Sequence, residues 1–430
     1  MSTNRDLRSV SVRSLRPRLT PRTLRSRRPP RSLRSPCCAR WLSLALAVGA
    51  LTAGAGCAGA AAPARPPAAP TNVINTAPQV VSADRVGTPT ELFESARALF
   101  LEGKYREAGE RFDLVWRGDP AGPLAARAVL QAGLSYQEAP ELDVAQERFS
   151  LLPERYPKEP LVKTALLYKG RLLVALERWE GLGSNAEALL ARADLSVLET
   201  VEANGARALS LVSLGQPEKA LRPLEQARTL MERHHLGESG ASPYEVTIVF
   251  YALGEIRRAQ GEQCKFDPLP PNFGEAFERR AQLVLDAQSA YADAMRTKDP
   301  AWATMGGYRV GQLYRALHRD VMAAKFGPGV AKTPRDRQIF EGAMRLRYRV
   351  LLRKGLAMLD STLRMNERVG LQGVWNERSK EAKADLERAI EAENQAIAKS
   401  PVPEAELQQQ LDKLQEKRES GAKLGGRTPG

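Results

Sequence analysis

The stretch from Glu91 to Pro120 constrains the fold of this chain more than any other. Its small and large apolar side chains recur at the spacing that lets two antiparallel helices cross closely. These side chains are Ala96, Leu99, Tyr105, Ala108 and Phe112. Gly103 lies between the two helical segments and permits a tight reversal, while Pro120 ends the second segment. The stretch therefore predicts one helical hairpin.

The hairpin pattern recurs at a nearly constant spacing. Ala108, Phe112 and Pro120 are followed 37 residues later by Ala145, Phe149 and Pro157. A weaker third copy covers residues 170–189, and a clear fourth copy covers residues 208–227. A single hairpin cannot bury its own apolar face, so self-similarity at this period predicts a stack of hairpins, a helical solenoid.

From Glu91 to Leu236 these repeats resemble the tetratricopeptide repeat (TPR) family. The Trp that is common early in that repeat is replaced by Leu92 and Val129 in the first two copies. The resemblance implies an all-α fold, in which a right-handed TPR-like solenoid of about four to five repeats is followed by longer packed helices. It also implies that the chain binds other proteins and is not an enzyme.

Helical periodicity continues beyond the clear repeats. We predict a solenoid at 88–261, a C-terminal helical extension at 262–399, and a short helix with a disordered tail at 400–430. Three short motifs in the extension, at 308–314, 348–352 and 370–375, resemble TPR-bearing envelope proteins of gliding bacteria. This second resemblance implies a role in motility or in another trans-envelope machine.

The positive charge of the chain is concentrated at its N-terminus. The formal net charge is +14, of which residues 1–57 carry +11 from twelve Arg and one Asp, so that the remainder carries +3. Nucleic-acid binding depends on basic residues spread over the folded surface. The near balance of the remaining charge argues against a DNA or RNA partner.

Residues 1–57 have the order of a targeting segment. An Arg-rich region to Arg40 precedes an apolar run, which ends in small residues and Cys57. The run is shorter than the roughly 20 residues that span a bilayer as a helix. The pattern resembles a bacterial lipoprotein signal, with Cys57 as the lipidated residue; the alternative is a plain secretory signal. Ala58 follows instead of an acidic residue, which favours the periplasmic face of the outer membrane.

The segment 58–87 is rich in Ala and Pro and predicts an extended tether. Thr88, Pro89 and Glu91 then supply the capping signals that begin the first helix. If the leader is removed and Cys57 carries lipid, Cys264 is the one remaining thiol, in a predicted loop, and no internal disulfide is available.

Catalytic, cofactor and metal motifs were considered and rejected. The sequence at Gly181–Ala186 matches a dinucleotide loop in letters, but no strand precedes it, and we interpret it as the turn of the third repeat. His234 and His235 are adjacent and point about 100° apart on a helix, so they do not form a metal pair. We therefore predict no catalytic residue, no cofactor and no metal.

A binding surface remains. In a TPR-like solenoid the first helix of each hairpin lines a concave groove, and the repeat register assigns eight side chains to it. They are Phe93, Arg97, Phe100, Arg127, Leu130, Leu134, Arg171 and Tyr251. Mixed Arg and aromatic residues suit acidic, partly apolar protein segments.

The sequence thus favours a non-enzymatic TPR scaffold lipoprotein in a bacterial envelope complex. Two alternatives stay open. One is an outer-membrane protein assembly factor that binds client chains or barrel-associated domains, and the other is an envelope enzyme acting on peptidoglycan.

Overall fold

The computed structural model describes residues 87–237, 243–297, 299–327 and 333–425. The tether, the leader and Cys57 lie outside these ranges. The described residues form helices joined by turns and contain no strand. The helices are α1 (Pro89–Leu101), α2 (Tyr105–Gly118), α3 (Ala125–Glu138), α4 (Leu142–Arg155), α5 (Leu161–Ala175), α6 (Trp179–Leu190), α7 (Val197–Ser213), α8 (Pro217–Arg233), α9 (Thr247–Gln263), α10 (Phe273–Met295), α11 (Pro300–Met322), α12 (Pro334–Val369), α13 (Val374–Ala398) and α14 (Glu404–Gly425).

Local sequence sets several helix ends. The Thr88 side chain accepts from the backbone N–H of Glu91, while the Glu91 carboxylate accepts from the backbone N–H of Thr88, which completes the expected capping box. Asp299 caps α11 through the N–H groups of Ala301 and Trp302. Side chains that satisfy the first free N–H groups of a helix fix where it starts.

The predicted hairpins are present, and successive helices pack antiparallel. Gly103 and Gly215 occupy the same turn position in the first and fourth hairpins, with φ of 79° and 75°. In both turns the residue after this Gly donates its backbone N–H to a carbonyl in the last turn of the helix, from Lys104 to Leu99 and from Gln216 to Leu211. This hydrogen bond is the mark of a Schellman ending, which needs a left-handed residue.

One close contact recurs inside the hairpins. A Cβ placed on Gly133 of α3 would lie 2.6 Å from the ring of Phe149 on α4. The same relation joins Gly254 of α9 to Tyr291 of α10, also at 2.6 Å. A third instance joins Gly311 to Leu359, between α11 and α12. The hairpin packing of the clear repeats therefore continues through α12, across the long loop between α9 and α10.

Three details differ from the sequence-based expectation. A short 3-10 turn at Tyr244–Val246 precedes α9, although the sequence Ser242-Pro243-Tyr244-Glu245 has the same capping signals as Thr88-Pro89-Thr90-Glu91 and predicts a helix from there. Gly181–Ala186 lies within α6 and not at a turn, because the turn of the third hairpin comes earlier, around Glu177. The last helix starts at Glu404 instead of Ser400, and it extends to Gly425. The domain boundary predicted after residue 261 falls near the end of α9 and stays a prediction. In the structure α9 and α10, on either side of it, pack against each other.

No described helix combines the length and apolar character that crossing a membrane requires.

Candidate protein-interaction surface

The predicted groove residues fall into two groups. Phe93, Leu130 and Tyr251 are buried, with 4%, 5% and 1% of their surface exposed. Arg97 and Arg127 are exposed, whereas Phe100 and Leu134 are partly exposed. These side chains lie on α1, α3 and α9, the first helices of their hairpins, but only some of them reach solvent.

The exposed group belongs to α1 and α3. The Arg127 guanidinium lies 5.2 Å from the centre of the Phe93 ring, which in turn packs edge-on against Phe112 at 5.1 Å. Arg127 makes no ion pair with any described residue. Arg97 lies 3.6 Å from Glu94, and both side chains are more than half exposed. Such a pair is weak because water screens it. Arg97 and Arg127 are therefore available to a partner, and Arg127 lies against the aromatic ring of Phe93.

Arg171 is committed to an internal contact. Its Nε and Nη2 donate to the two carboxylate oxygens of Glu202 at 2.7 and 2.8 Å. Its guanidinium also lies 4.5 Å from the ring centre of Tyr244. Burial opposes the charge of Arg171, but the hydrogen bonds and charge of Glu202 raise its pKa above the ordinary value. Arg171 therefore holds α5 to α7 and is not free to bind a partner.

Near α9, the face that the repeat register assigned to the groove is covered by other side chains of the same protein. Trp302 packs edge-on against Tyr251 at 5.2 Å and donates to the Tyr244 hydroxyl at 3.3 Å. Beneath them lies Glu255, 2% exposed. Its carboxylate accepts from the Tyr291 hydroxyl at 2.9 Å, while Arg309 lies 2.7 Å from it. The α9–α11 part of the predicted groove is therefore a packed interior.

The electrostatics of this interior are those of a satisfied buried ion pair. Burial works to raise the pKa of Glu255, but Arg309 and Arg258 together lower it below its ordinary value. Burial also raises the pKa of Tyr291 well above its ordinary value. Glu255 is thus held charged and Tyr291 neutral. Removing either partner would leave a buried charge or acceptor unsatisfied, which costs several kcal/mol.

A further cluster was not found from sequence. Arg378 of α13 donates to the Glu177 carboxylate at 2.8 Å, and its guanidinium lies 4.6 Å from the Trp375 ring centre. Tyr308 of α11 packs edge-on against Trp375 at 5.5 Å. The one signal in the sequence was a Glu at the turn position that is Gly103 in the first hairpin and Gly215 in the fourth. The structure shows that Glu177 has the left-handed conformation of these glycines, with a φ of 54°.

Two further features of the described residues are a buried contact between His318 and Glu393 and a cavity beside α12. Among the described residues, no group of three His, Cys, Asp or Glu side chains is placed to hold a metal ion. His318 is buried, with Nε2 3.6 Å from a carboxylate oxygen of Glu393. A cavity of about 390 Å³ between α11 and α12 is lined by Phe326, Phe340 and Met344, among others.

Comparison with known proteins finds similarity only to solved structures, at low sequence identity. No protein-family model matches the chain. No curated protein matches it. Among solved structures, a tetratricopeptide repeat protein from Parabacteroides merdae is 14% identical, with 70% of this chain and 98% of that chain covered and a TM-score of 0.37. The C-terminal part of a TPR repeat-containing protein from Cytophaga hutchinsonii is 15% identical, with 64% and 95% covered and a TM-score of 0.30. An assembly chaperone of RpL4 is 14% identical, with 72% and 99% covered and a TM-score of 0.25.

The chain is TPR-like. This statement rests on its own hairpins, which repeat the same turn, the same small-to-large contact and the same spacing. At the values above, the similarities to solved structures carry no argument about function.

Proposed function

We propose that this protein is a non-enzymatic scaffold whose first two hairpins bind a partner protein. The observation that carries the proposal is the pair of exposed cations Arg97 and Arg127, which lie on successive first helices. Arg127 stacks on Phe93, with no carboxylate of the described residues bound to it. The partner segment then supplies acidic side chains for the guanidinium groups and apolar ones for Phe100 and Leu134.

The cellular setting is part of the same proposal. An Arg-rich leader, a short apolar run and Cys57 support a lipid-anchored protein on the periplasmic face of a bacterial outer membrane. The Ala- and Pro-rich segment 58–87 is then a tether that lets the folded part reach a partner at a distance from the membrane. A motility or other trans-envelope complex is the assembly that this placement suits.

The test is in-cell crosslinking and pull-down with Arg97→Glu and Arg127→Glu combined. Arg171 is left unchanged, because reversing its charge would break the Glu202 pair and disturb folding. The matched control is Arg222→Glu with Arg228→Glu, two exposed cations on α8, a second helix. We expect the first variant to lose its partner and the control to keep it, with equal helicity.

Recovery of the partner at wild-type yield by the Arg97/Arg127 variant would overturn the proposed surface. The range of bound chains separates the scaffold from the assembly factor. A scaffold yields one stable partner, whereas an assembly factor captures many extended clients.

A further inference from the structure

The longest described helix, α12, has two unlike faces. One face is buried against α11, α13 and α14 through side chains that include Tyr348, Leu352 and Leu359. The flank of this face carries cations that are paired within the fold. Arg345 binds Glu393, and Arg349 binds Glu404. Every one of these contacts joins α12 to a neighbouring helix.

The opposite face is exposed, and the charged side chains along its middle are cationic, with the exposed Glu367 at its edge. Five exposed basic side chains lie on it, within an arc of roughly 120° around the helix axis at 3.6 residues per turn. They are Arg347, Arg353, Lys354, Arg364 and Arg368, here called the α12 stripe. At 1.5 Å per residue the stripe is about 30 Å long.

The stripe has no internal counterions. None of its five cations forms an ion pair with a carboxylate of the described residues. Val350, Ala357 and Ser361 lie among them on the same face, and Val350 is 48% exposed. Two carboxylates lie beside this face: Asp360, which pairs with Lys383 of α13, and the exposed Glu367. Exposed cations elsewhere commonly have carboxylate partners, as Arg106 has in Glu110 and Arg296 has in Asp293. A row of like charges on one helix face repels itself unless anions lie against it.

The geometry of the stripe suits a flat anion layer better than a protein segment. Protein partners are anchored by side chains that enter pockets. The cavity beside the first turns of α12, lined by Phe340 and Met344 among others, includes no stripe residue. A straight row of long basic side chains with an exposed Val among them matches the headgroup region of a bilayer, where basic stems and small apolar groups lie together.

We propose that the α12 stripe is a contact surface for the anionic lipid headgroups of a membrane. The inference is independent of the Cys57 anchor and of the Arg97/Arg127 surface. It concerns how the folded part lies against a bilayer, by whatever means the chain is brought there. Each cation near such a surface strengthens binding about fivefold, and added salt weakens it.

The test uses the full chain with a photocrosslinker at one of two exposed positions. The first is Ser361→p-benzoylphenylalanine within the stripe, and the second is Gln226→p-benzoylphenylalanine on α8 as a control. Vesicles contain phosphatidylglycerol and phosphatidylethanolamine, or phosphatidylcholine alone. Because the basic leader is present in both proteins, the comparison reports which face touches lipid. We expect at least about tenfold more lipid crosslinking at position 361, on anionic vesicles only.

Two charge variants complete the experiment. Changing all five stripe cations to Gln should lower crosslinking at position 361 at least about tenfold. A control with the same loss of charge replaces five other exposed cations by Gln, namely Lys104, Arg106, Arg228, Arg296 and Arg388, and should leave that crosslinking within about twofold.

Gln keeps a good helix propensity, and circular dichroism verifies that both variants are folded. Equal lipid crosslinking at 361 and 226, or equal losses in the two charge variants, would overturn the proposal. So would preferential crosslinking of position 361 to added polyglutamate in the presence of the anionic vesicles, which would assign the stripe to an acidic protein segment.

Discussion

Arg378 of α13 donates a hydrogen bond of 2.8 Å to the carboxylate of Glu177, which lies 201 residues earlier in the chain. Glu177 has a φ of 54° at a turn position where Gly103 and Gly215 are found in other hairpins. A non-Gly residue in this left-handed conformation costs roughly 1 kcal/mol. The strained turn of the third hairpin thus presents the side chain that holds α13.

We predict that Glu177→Gly acts differently in the presence and absence of Arg378. In the wild-type chain the relief of strain, about 1 kcal/mol, is partly offset by loss of the ion pair, about 0.5 kcal/mol, so the free energy of unfolding should rise by only about 0.5 kcal/mol. In an Arg378→Ala background the same change should stabilise by about 1 kcal/mol. Urea unfolding of the four proteins in a double-mutant cycle measures the coupling, expected at about 0.5 kcal/mol because the pair is partly exposed. Zero coupling would show that the contact does not compensate for the strain.

Ala220→Leu should destabilise the fourth hairpin. Ala220 is fully buried where α8 crosses its neighbours, and extra methyl groups in a packed site typically cost about 1–3 kcal/mol. The matched control is Ala98→Leu, because Ala98 is exposed on α1. Thermal melting followed by circular dichroism should show a lower transition for the first variant only. Identical melting of the two would argue against the repeat register.

Acid should weaken the packing around His318. Burial lowers the pKa of His318 below its ordinary 6.5, Arg315 and Arg345 lower it further, and Glu393 acts in the opposite direction. Since the folded pKa is the lower one, the unfolded chain binds the proton more readily. The stability contributed by neutral His318 is therefore complete above the ordinary pKa and is lost as pH falls below it.

His318→Gln tests this dependence, because Gln does not titrate. Urea midpoints at pH 7.5, 6.5 and 5.5 should fall more steeply for the wild-type protein than for the variant. Parallel curves would show that His318 does not contribute to the pH dependence.

Cys57→Ser should release the protein from membranes, because Ser cannot form the thioether that attaches a diacylglyceryl group. Cys264→Ser is the control, since Cys264 is a free thiol at the end of α9. Fractionation of cells, followed by separation of inner and outer membranes, measures both retention and placement. A Cys57→Ser protein that stays in the membrane fraction would contradict the lipoprotein interpretation.

The fold was largely predictable from sequence because its signals are local. Thr88 and Glu91 cap a helix through contacts within four residues of the chain, and the helical periodicity predicted within residues 262–399 corresponds to helices such as α12 and α13 in the structure. The binding surface was less predictable. Periodicity placed Tyr251 on an inner helix face, but its burial depends on Trp302, which comes from a different hairpin. Arg171 looked available for the same reason, since Glu202 lies on the next hairpin.

The contact between Gly254 and Tyr291 shows where this architecture accepts changes in length. The loop between α9 and α10 interrupts the repeat spacing, yet the two helices meet as closely as in an uninterrupted hairpin. Loop closure becomes only slightly less favourable as a loop grows, roughly 0.6 kcal/mol for each doubling. The exposed Pro271–Asn272 junction of this loop is therefore a natural insertion point for a fluorescent reporter or an affinity tag. Such an insertion would leave the stacking of hairpins on either side unchanged.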